Sequence, residues 1–196
     1  MDRSVEQRYD AQDLERAVKT VLEGGLILYP TDTIWGIGCD ATNDQAVSKV
    51  FELKQRADSK ALITLMEHSG WLERYMPEVP EMAYDLVDLS TEPLTIIYTN
   101  VNGVSSLLKA EDGSVAVRIP NDAFCKALCN RIKRPLVSTS ANISGDKAPA
   151  CFDDISDEIK TGVDYVVNFR QQDRKPCSAS KIIKLDIDGA IQIIRG

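Results

Sequence analysis

The 196-residue sequence predicts a single α/β domain. Three observations lead there. Short apolar runs of strand length alternate with stretches whose apolar residues recur at helical spacing. The last two strand-like runs, "SKIIKLD" and "AIQIIR", are joined by the turn "DIDGA", which adds an antiparallel portion. No repeat, low-complexity tract or linker interrupts the pattern, so one domain over residues 1–196 is expected.

The elements follow in order. Leu14, Ala17, Val18, Val21 and Leu22 mark a first helix, and Gly24-Gly25 is suited to end it. "LILYP" is a buried strand closed by Pro30, and "TDTIWGIGCD" is turn-rich. Thr42 or Asn43 caps a second helix carrying Ala46, Val47, Val50, Phe51 and Lys54. "ALITLM" is a strand, and residues 68–88 are helical with interruptions near Pro77 and Pro80. "LTIIYT" and "SVAVRIP" are strands around a loop at 100–113. Residues 121–133 form a helix with Phe124, Ala127, Leu128 and Ile132 inward, and "PLVSTS" is the next strand. A short acidic helix at 152–160 and the strand "DYVVNF" precede the terminal pair.

Composition bounds the function. Hydrophobic content of 43% and charged content of 27% suit a globular chain large enough for a sizeable core. Apolar runs are too short to span a membrane, and the polar start "MDRSVEQRYD" lacks a signal-peptide core, so a cytoplasmic location is expected. Five cysteines without a secretion signal predict free thiols used for packing. A lone histidine, His68, with no tight Cys/His cluster argues against a zinc site. A net charge of −7 argues against a general nucleic-acid surface and confines any phosphate contact to a local pocket.

Four segments set polar groups beside strand ends, where α/β sheets hold ligands. "YPTDTIWGIG" carries Thr31, Asp32 and Thr33, for which turn chemistry is the competing explanation. Lys54, Arg56 and Lys60 fall within seven residues; a solvated helix end explains such a cluster as well as an anion site does. In "SVAVRIP", Val115, Val117 and Ile119 share one face and leave Arg118 with Ala116 on the other. If that face is enclosed too, Arg118 needs an anion, from an internal carboxylate or from a ligand. "LVSTSANISGDKAP" packs Ser138, Thr139, Ser140, Asn142 and Ser144 behind two apolar residues. Trp35 is better suited to the core than to stacking. "GIG" is too short for a dinucleotide fingerprint, and no phosphate loop or nucleophile–base pair is visible.

Taken together, "YPTDTIWGIGCD", "ELKQRADSKALI", "SVAVRIP" and "STSANISGDKAP" resemble, in order and spacing, the YrdC-like family. The likeness runs from about Gly24 to Arg195, with Lys54–Arg56 and Ser140–Asn142 as its most specific pairs. It implies a twisted sheet of parallel and antiparallel strands with flanking helices around a concave cavity. It also implies a nucleotidyltransferase that joins L-threonine, bicarbonate and ATP into L-threonylcarbamoyladenylate and releases pyrophosphate. Other proteins then transfer the threonylcarbamoyl group to tRNA.

Carried over by resemblance, Thr31, Arg118 and Ser140 hold threonine. Lys54, Arg56 and Lys60 face the ATP phosphates, and Ser114, Asn142, Ser180 and Arg195 line the nucleotide region. No side chain is expected to act as a nucleophile, and Mg²⁺ is expected to arrive on the triphosphate, with no protein metal site. Ala57, Ala61 and Ala150 depart from residues common among relatives. The rival expectation is an RNA-binding module of the same fold, with at most weak tRNA contact expected of a synthase.

Overall fold

The computed structural model describes residues 9–55, 62–174 and 178–196. Its centre is one nine-stranded mixed sheet in the order β7-β1-β2-β6-β3-β5-β4-β8-β9. The strands are β1 (Ile27–Tyr29), β2 (Gly36–Gly38), β3 (Ile63–Leu65), β4 (Leu94–Tyr98), β5 (Val115–Arg118), β6 (Leu136–Ser140), β7 (Tyr165–Val166), β8 (Lys181–Leu185) and β9 (Ile191–Arg195). The pairs β1–β7, β3–β5 and β4–β8 are parallel and the remainder antiparallel. The mixed α/β sheet matches the expected fold class.

Helix α1 (Ala11–Leu22) starts where the Asp10 carboxylate accepts from the Gln12 amide, and it buries Leu14, Ala17, Val18 and Val21. It stops at Gly24, whose φ of +78° an L side chain rarely adopts. Asn43, rather than Thr42, caps α2 (Asp44–Leu53) by accepting from the Gln45 and Ala46 amides. The 68–88 stretch breaks as its prolines require, into a 3₁₀ turn at Ser69–Trp71, α3 (Leu72–Tyr75) and α4 (Met82–Leu89). Helix α5 (Ala123–Ile132) turns Phe124, Cys125, Leu128, Cys129 and Ile132 inward. The acidic stretch splits into a 3₁₀ turn at Phe152–Asp154 and α6 (Asp157–Gly162), because Ser156 caps a new start. Among the described residues, no helix is long and apolar enough to cross a membrane.

The largest departure from expectation is β2. "GIG" is not a turn but a strand between β1 and β6. Glycine is poor in strands because it has no side chain to pack. Here that absence is required: a Cβ on Gly38 would lie 2.6 Å from Tyr29 Cε1 and 2.9 Å from the Val137 carbonyl. The fully buried Tyr29 ring supplies what the glycines lack. The turn after β8 forms as expected, with Gly189 at φ +87° and the Asp186 amide donating to the Ala190 carbonyl.

Candidate active site

Strand alternation builds one polar face on an otherwise apolar sheet. Cross-strand partners share a face, so the register places Arg118 of β5 beside Thr95 of β4, Thr95 beside Ile182 of β8, and Ile182 beside Arg195 of β9. The next row sets Ser138 of β6 beside Ile63 of β3 and Ala116 of β5. Above these rows lies a cavity of about 310 Å³. Arg118 lines it from β5 and Arg195 from β9; Thr33, Ser138, Thr139, Ser140 and Ser180 supply hydroxyls; Trp35, Ile63, Ile97 and Ile182 supply apolar wall.

Arg195 reaches this face through an irregularity. Simple alternation would put it with Ile193, which pairs with Ile183. A register shift between Ile182 and Ile183 inserts one residue in β9 and turns Arg195 to the side of Ile182. Its guanidinium then donates from Nε and Nη2 to the Ser180 carbonyl, at 3.0 and 2.6 Å.

Both faces of β5 are enclosed, so Arg118 meets the condition set by its sequence: it is 3% exposed. Its anion is Asp32, whose Oδ1 lies 3.3 Å from Nη2. The other Asp32 oxygen accepts from the Asn121 amide. Arg118 Nε and Asp32 Oδ1 both lack a hydrogen-bond partner among the described residues. An internal salt bridge therefore exists and still leaves guanidinium donors unused. Five N–H groups in a rigid fork suit a carboxylate bidentately.

The other nominated residues separate. Ser140 and Ser180 line the cavity. Thr31 does not: its hydroxyl meets that of Thr33 at 2.9 Å and donates to the Ile34 carbonyl, holding the turn. Thr33, two residues on, faces the cavity instead. Ser114 sits at the far end of β5 and donates to Asp112 at 2.5 Å. Lys184 first, and then Ser114, hold the Asp112 carboxyl well below the usual carboxylate range.

Lys54 is buried, where the sequence had left a solvated helix end open as an explanation. Its side chain is 2% exposed, and Nζ donates to the backbone carbonyls of Ser140 and Asn142, each at 2.6 Å. It fastens the end of α2 beneath the Ser140–Asn142 loop. The Asn142 amide donates to the Ile143 and Asp146 carbonyls, so that side chain shapes the same loop. Arg56, Lys60, Ala57 and Ala61 lie outside the described residues, as does Cys177.

A second cleft of about 460 Å³ lies beyond Asp32, lined by His68, Asp88, Glu92 and Lys126 among others. It is larger but holds no residue nominated from sequence except Asp32. Its charged lining is mostly acidic, which does not suit a nucleotide. The smaller cavity, with two arginines and five hydroxyl side chains, is the candidate site. Sequence reasoning named Thr33 but gave the ligand contact to Thr31, and it missed Thr95, which lies buried in the strand row beneath the cavity. Period-2 alternation on "LTIIY" pairs Thr95 with Ile97 and was the available signal for Thr95.

The Sua5/YciO/YrdC family model, described as telomere recombination, matches residues 19–196. A threonylcarbamoyl-AMP synthase of Saccharophagus degradans is 37% identical over 133 residues, covering 67% of this chain and 70% of that protein. A threonylcarbamoyl-AMP synthase of Pseudoalteromonas translucida is 30% identical over 162 residues, covering 81% and 87%. The crystal structure of P. abyssi Sua5 complexed with L-threonine has a TM-score of 0.80 and 26% identity. That match covers 91% of this chain but only 52% of the longer P. abyssi chain.

Proposed function

The chain belongs to the Sua5/YciO/YrdC family, and from that premise we propose that it is a threonylcarbamoyl-AMP synthase. The observation that carries the reading is the row Arg118–Thr95–Ile182–Arg195 beneath a hydroxyl-lined cavity. Two cationic groups about three strand spacings apart, roughly 14 Å between Cα atoms, suit a ligand with an anionic group toward each end. An amino acid joined to a nucleotide is such a ligand.

Arg118 holds the threonine carboxylate, and the neighbouring hydroxyls orient the remainder. The neutral amine attacks the carbon of bicarbonate; a C–N bond forms, water leaves, and a carbamate results. A carbamate oxygen then attacks the α-phosphorus of ATP, and the bond to the β-phosphate oxygen breaks with pyrophosphate as leaving group. No side chain forms a covalent bond. Positioning and fixed cations lower the barrier. Among the described residues, no three His, Cys, Asp or Glu side chains could together hold a metal. Mg²⁺ would arrive on the incoming triphosphate, where it would neutralise phosphate charge. The product passes to proteins that transfer the threonylcarbamoyl group to tRNA.

The test is incubation with ATP, L-threonine and labelled bicarbonate. Pyrophosphate release that requires both co-substrates, with label in an adenylate, is expected. Tight RNA binding by a protein that releases no pyrophosphate would replace this reading with the RNA-binding module.

A further inference from the structure

Between the two arginines, at the floor of the cavity, lies a pair of hydroxyls. Thr95 Oγ1 and Ser180 Oγ are 2.7 Å apart. Thr95 is 0% exposed, whereas Ser180, 2% exposed, lines the cavity. The pair has two protons and one hydrogen bond between them. Thr95 has no other side-chain acceptor among the described residues. If Ser180 donated to Thr95, the Thr95 proton would be sealed in the sheet without an acceptor. A buried unsatisfied donor is costly. The opposite polarity has no such defect: Thr95 donates to Ser180, and the Ser180 proton is left to point into the cavity.

We infer that Thr95 is a positioning residue that fixes Ser180 as a hydrogen-bond donor toward an anionic oxygen of the ligand held between Arg118 and Arg195. The same serine anchors Arg195 through its backbone carbonyl, which accepts from Nε and Nη2. Ser180 thus contacts Thr95 through its hydroxyl and Arg195 through its carbonyl. The inference rests on the proposed synthase reading for the identity of the ligand. The anionic oxygen has two sources there, the threonine carboxylate and an ATP phosphate.

Thr95→Val keeps shape and removes the donor; Thr95→Ser keeps the donor. The experiment is calorimetry of the full chain with L-threonine and with ATP separately, alongside KM and kcat from pyrophosphate release. Thr95→Val is expected to weaken one of the two ligands about tenfold, with kcat within about twofold, the scale of one hydrogen bond to a charged group. Loss for threonine assigns the carboxylate, and loss for ATP assigns a phosphate. Thr95→Ser should bind as wild type does. Ser180→Ala should weaken the same ligand, and adding Thr95→Val to it should cost nothing further.

A folded Thr95→Val protein that binds both ligands normally overturns the inference, as does a Thr95→Ser protein equally impaired. Adenylate formation with Thr95-independent binding sinks this inference and spares the function. Thr95-dependent binding by a wild-type protein that forms no adenylate sinks the function and spares this inference.

Discussion

Lys54→Met gives a sharp test of whether Lys54 is a phosphate-facing cation or a buried fastening. The lysine follows α2, its ammonium donates to the Ser140 and Asn142 carbonyls, and its own carbonyl accepts from the Ser144 amide at 2.9 Å. Methionine fills similar space without a donor. Two charge-assisted hydrogen bonds, at about 1.5–3 kcal/mol each, are lost. A total of about 3–6 kcal/mol is expected, a large part of a domain stability of about 5–15 kcal/mol. In urea the midpoint should fall by roughly 1–2 M with an unchanged slope. The measurement needs no nucleotide, which separates stability from ligand contact. An unchanged midpoint together with weakened ATP binding would refute the fastening role.

Arg118→Ala should weaken L-threonine binding about 10–150-fold by calorimetry, from loss of a bidentate charged contact, with Lys restoring only part. It also leaves Asp32, with a side chain 9% exposed, without its cation, so Asp32→Asn should recover stability in that background. Normal threonine affinity in a folded Arg118→Ala protein removes Arg118 from the site. Gly38→Ala should lower stability by about 1–3 kcal/mol in urea, because its Cβ would meet a buried ring and a backbone carbonyl. Gly36→Ala, whose Cβ would meet nothing closer than 3.3 Å, should cost less, and equal losses would contradict the packing argument. In a Cys177→Ser background, a thiol reagent at pH 8 should label Cys151 alone. Burial pushes the Cys129 thiol up to about 12 and raises those of Cys39 and Cys125 as well, so thiolate is scarce at all three. Rapid native labelling of Cys125 or Cys129 would show that α5 opens.

Arg118 was legible because a single charge interrupted an alternating strand, and burial of a charge demands a partner. The hydroxyls of "LVSTS" were legible as a dense cluster of small polar side chains behind two apolar residues. What escaped depended on contacts remote in sequence or on backbone atoms. The two carbonyls that receive Lys54 lie 86 and 88 residues away and have no side-chain signature. Thr31 and Thr33 are equivalent in the turn, and only the folded loop decides which hydroxyl faces inward. Strand β2 was hidden because glycine's poor strand preference is reversed by one tyrosine ring across the ladder. The orientation of Arg195 depends on an inserted residue that no alternation rule predicts.

These late details also explain how an acidic chain can hold an anionic ligand. Arg118 is fixed by one contact to Asp32, and Arg195 by two donors to one carbonyl. Each guanidinium is thereby oriented before a ligand arrives, while several of its five N–H groups remain for the ligand. Ordering a long side chain beforehand removes part of the entropy cost from the binding step. Two such groups, enclosed by apolar wall, interact with an anion more strongly than cations in open water do. A net charge of −7 disfavours polyanions that cannot enter the cavity, so the proposed synthase would meet its small anionic ligand only where the positive charge is enclosed.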